Sequence, residues 1–441
     1  MKMQKYIYYT ICLLALSLGI KAQEPESFNV TVHDSDGGTH TENFELPLSM
    51  TYPIDSLLAD WKAKNYIDLG KDCSTSDENP LFSDSIYIDR LSRIPSIIEM
   101  PYNEVVREFI EKYTTGRLRQ RMALMLSLSN FYIPLFEEAL YAYDLPLELK
   151  YLPIIESALN PKAVSRVGAS GLWQFMIGTA KLYGMENNSY VDERQDPIKS
   201  TWAAVRYLKD MYDIYKDWNL AIAAYNCGPG NVNKAISRSG KRDYWEIYNY
   251  LPKETRGYVP SFIAANYVMT YYCHHNICPL ETNMPEATDT IQVNHNVHFQ
   301  QIADICGVDI DMLKSLNPQY KRDIIPGDSK PQTLRLPQNY VGSFIEKQDT
   351  IYAHRANEFF RNRKVVGVPQ QNTRQQRTRT TSSSTKATVP ANGTARTHKI
   401  QSGETLSTIA SRYGVTVNQL KSWNGISGTR INAGKTLKIY K

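Results

Sequence analysis

The sequence offers one strong candidate for acid–base chemistry, the carboxyl of Glu156. It stands in an apolar run, with leucine, isoleucine and alanine neighbours between 152 and 159. A glutamate in such company more often lies on the solvent side of an amphipathic helix than in a pocket. In a pocket, burial raises the pKa of a carboxyl and keeps its proton on, as a general acid requires. Other residues must decide between these two interpretations.

Three further segments carry side chains suited to binding an amidosugar: amides, aromatic rings and a carboxylate, next to glycines or at the start of a predicted helix. They are residues 168–174, 224–230 and 254–259. Each segment is weak by itself, because a Gly-Pro-Gly sequence, for example, usually does no more than end a helix. Their combination with Glu156 carries more weight than any one of them.

The elements that must position these residues are predicted to be helices. Asp144 can cap a helix with Pro146 in its first turn, which places Glu156 near the end of that helix. Apolar residues also recur at helical spacing elsewhere in the region. These stretches are 105–110, 122–129 and 201–215. Strand-like alternation is scarce from 83 to 275, so the sequence predicts an all-α domain of several short helices.

In this order and spacing, the four motifs resemble the catalytic domain of lytic transglycosylases related to soluble lytic transglycosylase and goose-type lysozyme. Within that group they are most similar to the membrane-bound lytic murein transglycosylase D group. The resemblance runs from about 87 to 272 and includes Val-Asp-Glu-Arg at 191–194 and Asp-Pro at 196–197. It implies a lysozyme-like α-helical domain over 83–280 that cuts the β-1,4 bond between N-acetylmuramic acid and N-acetylglucosamine.

The resemblance also implies roles for individual residues, with Glu156 as the catalytic acid. The implied substrate-binding residues are Ser157, Gln174, Met176, Tyr225, Asn226, Glu254 and Tyr258. Of these, Ser157 positions the reacting groups, and Gln174 and Met176 line the cleft beside the scissile bond. Tyr225 and Asn226 orient the acetamido group of muramic acid, and Glu254 and Tyr258 support the site.

A single acid suggests a reaction without water. Most glycosidases use two carboxylates, one to donate a proton and the other as nucleophile or to activate water. Here we expect Glu156 to protonate the leaving oxygen and then act as base toward the sugar's own C6 hydroxyl. That hydroxyl attacks C1 and gives a 1,6-anhydromuramic acid end, while the substrate's acetamido group stabilises the positive intermediate.

Two alternatives stay open. The first is a hydrolytic lysozyme-type muramidase, in which a second carboxylate activates water. The candidates for that role are Asp192, Glu193, Asp196 and Glu254. The second is a non-catalytic peptidoglycan-binding protein, against which the complete set of Glu156, Gln174, Tyr225 and Asn226 argues.

The C-terminal part predicts two copies of a small βααβ unit. In the last copy, strands at 398–400 and 436–439 enclose helices at 406–413 and 417–423. This copy, over 397–441, resembles a LysM module, which implies binding of N-acetylglucosamine-containing chains. Residues 288–340 resemble a diverged LysM module, with helices at 299–306 and 310–316 and a closing strand at 334–336. The whole chain is therefore predicted to be multidomain, with a helical catalytic domain followed by sugar-binding modules.

The remaining segments concern export and tethering. Residues 1–22 are typical of a secretory signal peptide, with two lysines before a short apolar run and Ala22 at the cleavage position. The sequence thus predicts an exported protein of the periplasm or cell envelope and leaves peripheral membrane association open. No function is assigned to 23–82. Residues 341–396 are predicted to be a basic polar linker, too polar to bury a core.

The charge of that linker does not indicate a nucleic-acid partner. Nine basic residues face a single acid, Glu358, between 353 and 397. An exported protein meets little nucleic acid, so attraction to anionic wall or membrane surfaces is the better interpretation. Peptidoglycan glycan strands are the expected partner.

The cysteines give no cofactor. Five remain after the signal, an odd number, so at least one lacks a partner within the chain. The Cys-His-His-Asn-Ile-Cys sequence at 273–278 is open to three interpretations: a metal site, a local disulfide or buried thiols. Because no companion ligand pair stands at suitable spacing, we predict no metal and no cofactor.

Overall fold

The computed structural model describes residues 26–33, 38–51, 53–63, 78–360, 395–401, 406–413, 415–426, 431 and 434–440. The chain divides into two compact units, Met1–Val368 and Pro369–Lys441. The predicted signal peptide and residues 361–394 of the predicted linker lie outside the described residues. A multidomain, helix-rich architecture is confirmed.

The first unit begins with a β-hairpin. Strand β1 (Ser27–His33) pairs antiparallel with β2 (Thr39–Glu45), and Phe28 lies opposite Phe44. A 3-10 helix (Leu48–Thr51) and helix α1 (Ile54–Asp60) follow. The hairpin buries Phe28, Val30 and Phe44 in the same hydrophobic core as the helices that come after it.

The catalytic region is all-α, as predicted, and its strand content in the described residues is limited to isolated bridges. Its first helices are α2 (Asp84–Arg93), α3 (Glu104–Thr114), α4 (Gly116–Ala142), a 3-10 helix (Leu147–Tyr151), α5 (Leu152–Ser157) and α6 (Ile177–Leu182). Then come α7 (Pro197–Tyr215), α8 (Trp218–Cys227), α9 (Pro229–Ser239), α10 (Tyr244–Ile247), a 3-10 helix (Tyr248–Tyr250), α11 (Lys253–Tyr271) and a 3-10 helix (Tyr272–His275).

Local sequence explains how the key helices begin and end. Asp196 caps α7 by accepting hydrogen bonds from the amides of Ile198 and Lys199, with Pro197 at the first helical position. Helix α5 is short because Ala158 and Leu159 adopt left-handed backbone conformations that stop it directly after Ser157. The prediction that Asp144 caps a helix is wrong. Pro146 occupies the N-cap position of the 3-10 helix Leu147–Tyr151, and that helix has no side-chain cap.

The next module is the predicted βααβ unit with an extra strand pair. Its elements are β3 (Thr288–Val293), β4 (Asn296–His298), α12 (Phe299–Cys306), α13 (Ile310–Leu316), a 3-10 helix (Lys321–Asp323), β5 (Ile324–Pro326) and β6 (Gln332–Pro337). Strand β3 pairs antiparallel with β6, and β4 with β5. Both predicted helices have the predicted bounds.

The predicted start of the linker at 341 is wrong. Helix α14 (Gln338–Ala353) continues from the module, and α15 (Ala356–Phe360) follows it. Phe344 and Ile351 are fully buried in the module's core, two helical turns apart on one face of α14. Gln301 of α12 donates to the carbonyl of Ile351 at 3.0 Å, so the helix belongs to the folded module.

This module docks on the catalytic region through residues 186–194. Tyr190 and Val191 are buried in the module's own core. The amide of Asp192 donates to the carbonyl of Gln319 at 2.9 Å, and the amide of Lys321 donates to the carbonyl of Tyr190 at 2.7 Å. Backbone hydrogen bonds and shared apolar burial together fix the module to the helices.

The second unit has the predicted βααβ order: β7 (Ala395–Lys399), α16 (Leu406–Tyr413), α17 (Val417–Asn424) and β8 (Thr436–Tyr440). Strands β7 and β8 pair antiparallel. Ile409, Leu420 and Leu437 form its core, as expected for apolar residues of this module. Residues 402–405, between β7 and α16, lie outside the described residues.

The cysteines and the hydropathy of the helices add two findings. Cys278 takes part in a disulfide, whereas Cys227, Cys273 and Cys306 are free thiols, so a local 273–278 disulfide is wrong. In the described part of the chain, no group of three or more His, Cys, Asp or Glu side chains could hold a metal ion. Among the same residues, no helix combines the length and apolar character that a membrane crossing needs.

Candidate active site

A cavity of about 580 Å³ opens in the catalytic region, and Glu156 lies on its surface. Most of its lining comes from residues 45–48, the end of α5, the loop 165–176, the end of α8 and the first turns of α11, and Thr179 of α6 and Tyr207 of α7 complete it. A concave site of this size, with a few polar groups converging on it, suits a ligand as large as a disaccharide. The predicted motifs therefore meet in one place.

Glu156 is the next-to-last residue of α5. The apolar residues before it, Ile154 and Ile155, are buried, while Glu156 itself is half-buried at the cavity. Burial, with a smaller contribution from the negative charge of Glu254, raises the pKa of its carboxyl to about 8 against the opposing effect of a hydrogen bond from Tyr258. The carboxyl thus keeps its proton at neutral pH, as a general acid must.

Tyr258 of α11 holds this carboxyl in place. Its hydroxyl donates a hydrogen bond to Oε1 of Glu156. Tyr258 is buried, and burial together with the neighbouring Glu156 charge raises the pKa of its hydroxyl well above the ordinary value. Tyr258 therefore stays protonated and acts as a donor that fixes the direction of the Glu156 carboxyl.

The glycine-bearing loop presents Gln174 to the cavity. Gln174 has a left-handed backbone, and its side-chain amide donates to the carbonyls of Gly171 at 2.9 Å and Ala163 at 3.2 Å. With the NH₂ group tied to the loop, the side-chain oxygen of Gln174 makes no hydrogen bond to the described residues. That oxygen is available to accept from a ligand. Met176, at the end of the loop, is 45% exposed and lines the same cavity.

The loop has its shape because of a buried ion pair. Asp192 and Arg194 form two hydrogen bonds, at 2.8 and 2.9 Å. The guanidinium of Arg194 also donates to the carbonyls of Gly168 at 2.7 Å and Phe175 at 3.0 Å, one at each end of the loop. The 191–194 motif therefore supports the cavity from behind and does not line it.

That placement bears on the hydrolytic alternative. Glu193 pairs with Lys199, Asp196 caps α7, and Asp192 is paired with Arg194. None of the three lines the cavity. Of the four carboxylates predicted as candidates for activating water, Glu254 alone lines the cavity. Glu254 is exposed and lies in the first turn of α11.

Helix α8 ends at the cavity with two of the predicted binding residues. The hydroxyl of Tyr225 donates to the carbonyl of Trp173 at 2.7 Å, which ties α8 to the loop. Asn226 accepts a hydrogen bond from Thr255 at 2.9 Å through its side-chain oxygen. Its NH₂ group makes no hydrogen bond to the described residues, so it can donate to a carbonyl such as that of an acetamido group.

Ser157 lies elsewhere than its predicted role requires. It is fully buried, its hydroxyl donates to the carbonyl of Pro153 at 3.0 Å, and it does not line the cavity. Neighbouring residues of a helix point in directions about 100° apart, so Ser157 turns into the core where Glu156 turns to the cavity. Ser157 is therefore not among the residues that could contact a ligand in the cavity. Its hydrogen bond to Pro153 stabilises α5.

The motifs did not reveal one wall of the cavity. Residues 45–48, from the last residue of β2 to the first of the 3-10 helix, line it beside Glu156. A hint was available in the sequence: apolar residues alternate at 28, 30 and 32, and an Asp-Gly-Gly turn follows at 36–38, a pattern typical of a β-hairpin. The pattern could indicate a hairpin but not where it packs.

Comparison with known proteins identifies three domains. The family model described as Transglycosylase SLT domain matches residues 134–248. The model described as Lytic transglycosylase MltD, LysM-like domain, matches 287–353, and the LysM domain matches 398–439. The first match contains Glu156, Gln174, Tyr225 and Asn226, but neither residues 45–48 nor Tyr258.

Individual proteins are similar over the same regions. Membrane-bound lytic murein transglycosylase D of Escherichia coli (strain K12) is 29% identical over 350 residues, which cover 77% of this chain and 70% of that protein. Soluble lytic murein transglycosylase of the same strain is 36% identical over 124 residues, or 26% of this chain and 19% of that protein. The crystal structure of the 70 kDa soluble lytic transglycosylase from Escherichia coli is 32% identical, covers 32% of this chain and 24% of that chain, and superimposes with a TM-score of 0.28.

Proposed function

The chain belongs to the lytic murein transglycosylases, and from that premise we propose how it works: it cleaves the β-1,4 bond between N-acetylmuramic acid and N-acetylglucosamine without water, with Glu156 as its single acid and base. The observation that carries this proposal is the state of Glu156. It is a half-buried carboxyl with a pKa raised to about 8, and Tyr258 holds it at the surface of the cavity. Gln174, Met176, Tyr225, Asn226 and Glu254 line the same space.

In the first step, Glu156 donates its proton to the glycosidic oxygen. The bond from that oxygen to C1 of the muramic acid breaks, the N-acetylglucosamine end leaves as an alcohol, and positive charge develops at C1. A pKa near 8 keeps the acid form populated at neutral pH, which favours this transfer. The hydrogen bond from Tyr258 leaves the other carboxyl oxygen to carry the proton.

In the second step, the Glu156 carboxylate takes the proton of the C6 hydroxyl on the same sugar. O6 then bonds to C1, which gives a 1,6-anhydromuramic acid end and restores the acid form of Glu156. The acetamido group of the substrate stabilises the positive intermediate, in the place of a second carboxylate. The NH₂ group of Asn226 and the side-chain oxygen of Gln174, which make no hydrogen bond within the described part of the chain, are suited to orient that acetamido group.

Hydrolysis is the second candidate, and Glu254 is the observation that favours it. Glu254 is an exposed carboxylate on the same cavity, and its charge acts on Glu156. If it activated water, the product would be one water heavier and would have a reducing end. We favour the anhydro product because Glu254 is exposed at the first turn of α11, whereas Glu156 is half-buried and Tyr258 holds its carboxyl in one direction.

The LysM-type domains are proposed to bind wall glycan, through N-acetylglucosamine-containing chains. A weak binder joined to a catalytic domain raises the local concentration of substrate without a new contact at the active site. With residues 1–22 as a signal peptide, we place the protein in the periplasm or cell envelope. We do not assign nucleic acid as a partner.

The deciding experiment is mass spectrometry of the products from purified peptidoglycan. Wild type should release anhydro-ended fragments, and Glu156→Gln should release none. Glu138→Gln is the matched control, because it makes the same side-chain replacement at an exposed position of α4, away from the cavity. Near-normal activity of Glu156→Gln would disprove the role of Glu156, and reducing-end products from wild type would establish the hydrolase instead.

A further inference from the structure

The wall at residues 45–48 lies outside the segment that matches the transglycosylase SLT domain. It consists of Glu45, Leu46, Pro47 and Leu48, and it joins β2 to the 3-10 helix at Leu48–Thr51. Leu46 is buried in the core, whereas Glu45 is exposed and Leu48 half-buried at the cavity. Glu45 and Leu48 are thus open to a ligand, as is the half-buried Pro47.

The wall is anchored next to the catalytic acid. The hydroxyl of Ser49, itself buried, donates to the carbonyl of Ile155 at 2.7 Å. Ile155 directly precedes Glu156. A buried hydrogen bond of this kind fixes the distance between the two segments, so the wall keeps a constant position relative to the Glu156 carboxyl.

A second anchor lies next to Tyr258. Phe44 packs over Gly257, where an added Cβ would lie 3.4 Å from the Phe44 ring and 3.2 Å from the ring of Phe109. The ammonium of Lys253 also donates to Asn43 at 2.9 Å. The hairpin therefore packs against the start of α11. The wall is thus anchored beside both Glu156 and Tyr258.

The chemistry of the wall fits a sugar. Glu45 is a carboxylate without a hydrogen bond or ion pair to the described residues, and Leu48 offers an apolar surface beside it. An ionised carboxylate only accepts hydrogen bonds, and those that it accepts are about twice as strong as neutral ones. A saccharide presents hydroxyl and amide donors around its edge and C–H groups on its face.

We propose that residues 45–48 form a saccharide-binding wall of the active site, in which Glu45 accepts hydrogen bonds from the hydroxyl or amide groups of the glycan and Leu48 packs against a sugar face. The assignment rests on the proposed function. It adds a binding surface from the N-terminal hairpin to those supplied by the loop and α8. Since the wall contacts the substrate without taking part in proton transfer, it contributes to binding in the ground state and transition state alike.

The test compares steady-state kinetics of the full-length chain on soluble, uncrosslinked peptidoglycan strands. Glu45→Ala should raise KM about tenfold, the effect of losing one hydrogen bond to a charged group. Leu48→Ala should raise KM about threefold through lost apolar contact. In both variants kcat should stay within about twofold, because uniform binding changes KM alone.

Glu26→Ala is the matched control, since Glu26 is an exposed glutamate at the start of the same hairpin segment and does not line the cavity. Its KM should equal that of wild type. The midpoints of thermal unfolding of all three variants should equal the wild-type midpoint. Unchanged KM in both wall variants, or a fall in kcat alone, would overturn the assignment. A failure of the proposed function appears separately, in the products of wild type and Glu156→Gln.

Discussion

The hydroxyl of Tyr258 donates a hydrogen bond to the Glu156 carboxyl, although 102 positions separate the two residues in the sequence. The contact joins α5 to α11 at the surface of the cavity. It opposes the effect of burial on the pKa of Glu156, because it stabilises the ionised form. The pair therefore sets both the direction of the acid and the pH range in which it can donate.

Tyr258→Phe tests that relationship. Removing the donor should raise the pKa of Glu156, so the loss of kcat at high pH should move from near pH 8 to a higher pH. The maximum kcat should fall about tenfold, since the carboxyl is no longer held in one orientation. The measurement is kcat against pH on soluble glycan strands. If the high-pH loss of kcat moved to lower pH instead, it could not be assigned to ionisation of Glu156.

Glu254→Gln should move the high-pH loss of kcat in the opposite direction, to lower pH. The negative charge of Glu254 raises the pKa of Glu156, so neutralising it lowers that pKa and brings the loss of activity to lower pH. Because Glu254 is exposed, solvent screens the interaction and the shift should be well under one pH unit. At pH 6 the variant should keep most of its activity.

The same variant separates the two reactions. If Glu254 activated water, its loss would abolish turnover at every pH. Glu138→Gln serves as the control for a surface charge of the same sign, and its pH profile should coincide with that of wild type.

Glu156→Gln should make the protein more stable while abolishing its activity. The pKa of Glu156 is raised from 4.5 when unfolded to about 8 when folded, so the folded state holds more protons between these values. Stability then falls as pH rises through this window, because the carboxyl must ionise where burial disfavours its charge. Glutamine carries no such cost.

The gain from Glu156→Gln should be small near pH 4 and about 2–4 kcal/mol at pH 8–9, less than the full pKa difference implies because the group is only half-buried. Urea unfolding at pH 4, 6 and 8.5 would measure it. Equal stability of the two proteins at pH 8.5 would mean that the Glu156 carboxyl is well solvated and that its pKa is not raised.

The sequence predicted the helices and the site where local pattern and packing agree. The bounds of α12, α13 and α16 were predicted because each has apolar residues at helical spacing between clear end signals. Glu156, Gln174, Tyr225 and Asn226 were predicted from their motifs, and they do line one cavity.

What the sequence did not predict depends on contacts between distant segments. The role of residues 45–48 needs the hairpin to pack against α5 and α11, and no local pattern specifies that partner. Ser157 directly follows Glu156 in the sequence, yet the direction in which it points depends on how α5 lies in the core. The predicted start of the linker was wrong because α14 is largely polar outside the face that carries Phe344 and Ile351.

Gly171→Ala should disrupt the loop that presents Gln174. Gly171 and Gly168 both have a φ of 87°, a conformation that alanine adopts only at a cost of about 1–2 kcal/mol. At Gly171 an added Cβ would also lie 1.8 Å from the carbonyl oxygen of Arg194, whereas at Gly168 nothing lies within 4 Å. The overlap is with backbone, so the loop itself has to move.

Gly168→Ala is therefore the matched control, since it imposes the same backbone strain without the overlap. Its free energy of unfolding should fall by about 1–2 kcal/mol with KM nearly unchanged. Gly171→Ala should lose about 3 kcal/mol or more, and its KM should rise because Gln174 shifts with the loop. Equal losses of stability in the two variants, with equal KM, would show that Arg194 leaves room at Gly171 and that the contact does not shape the site.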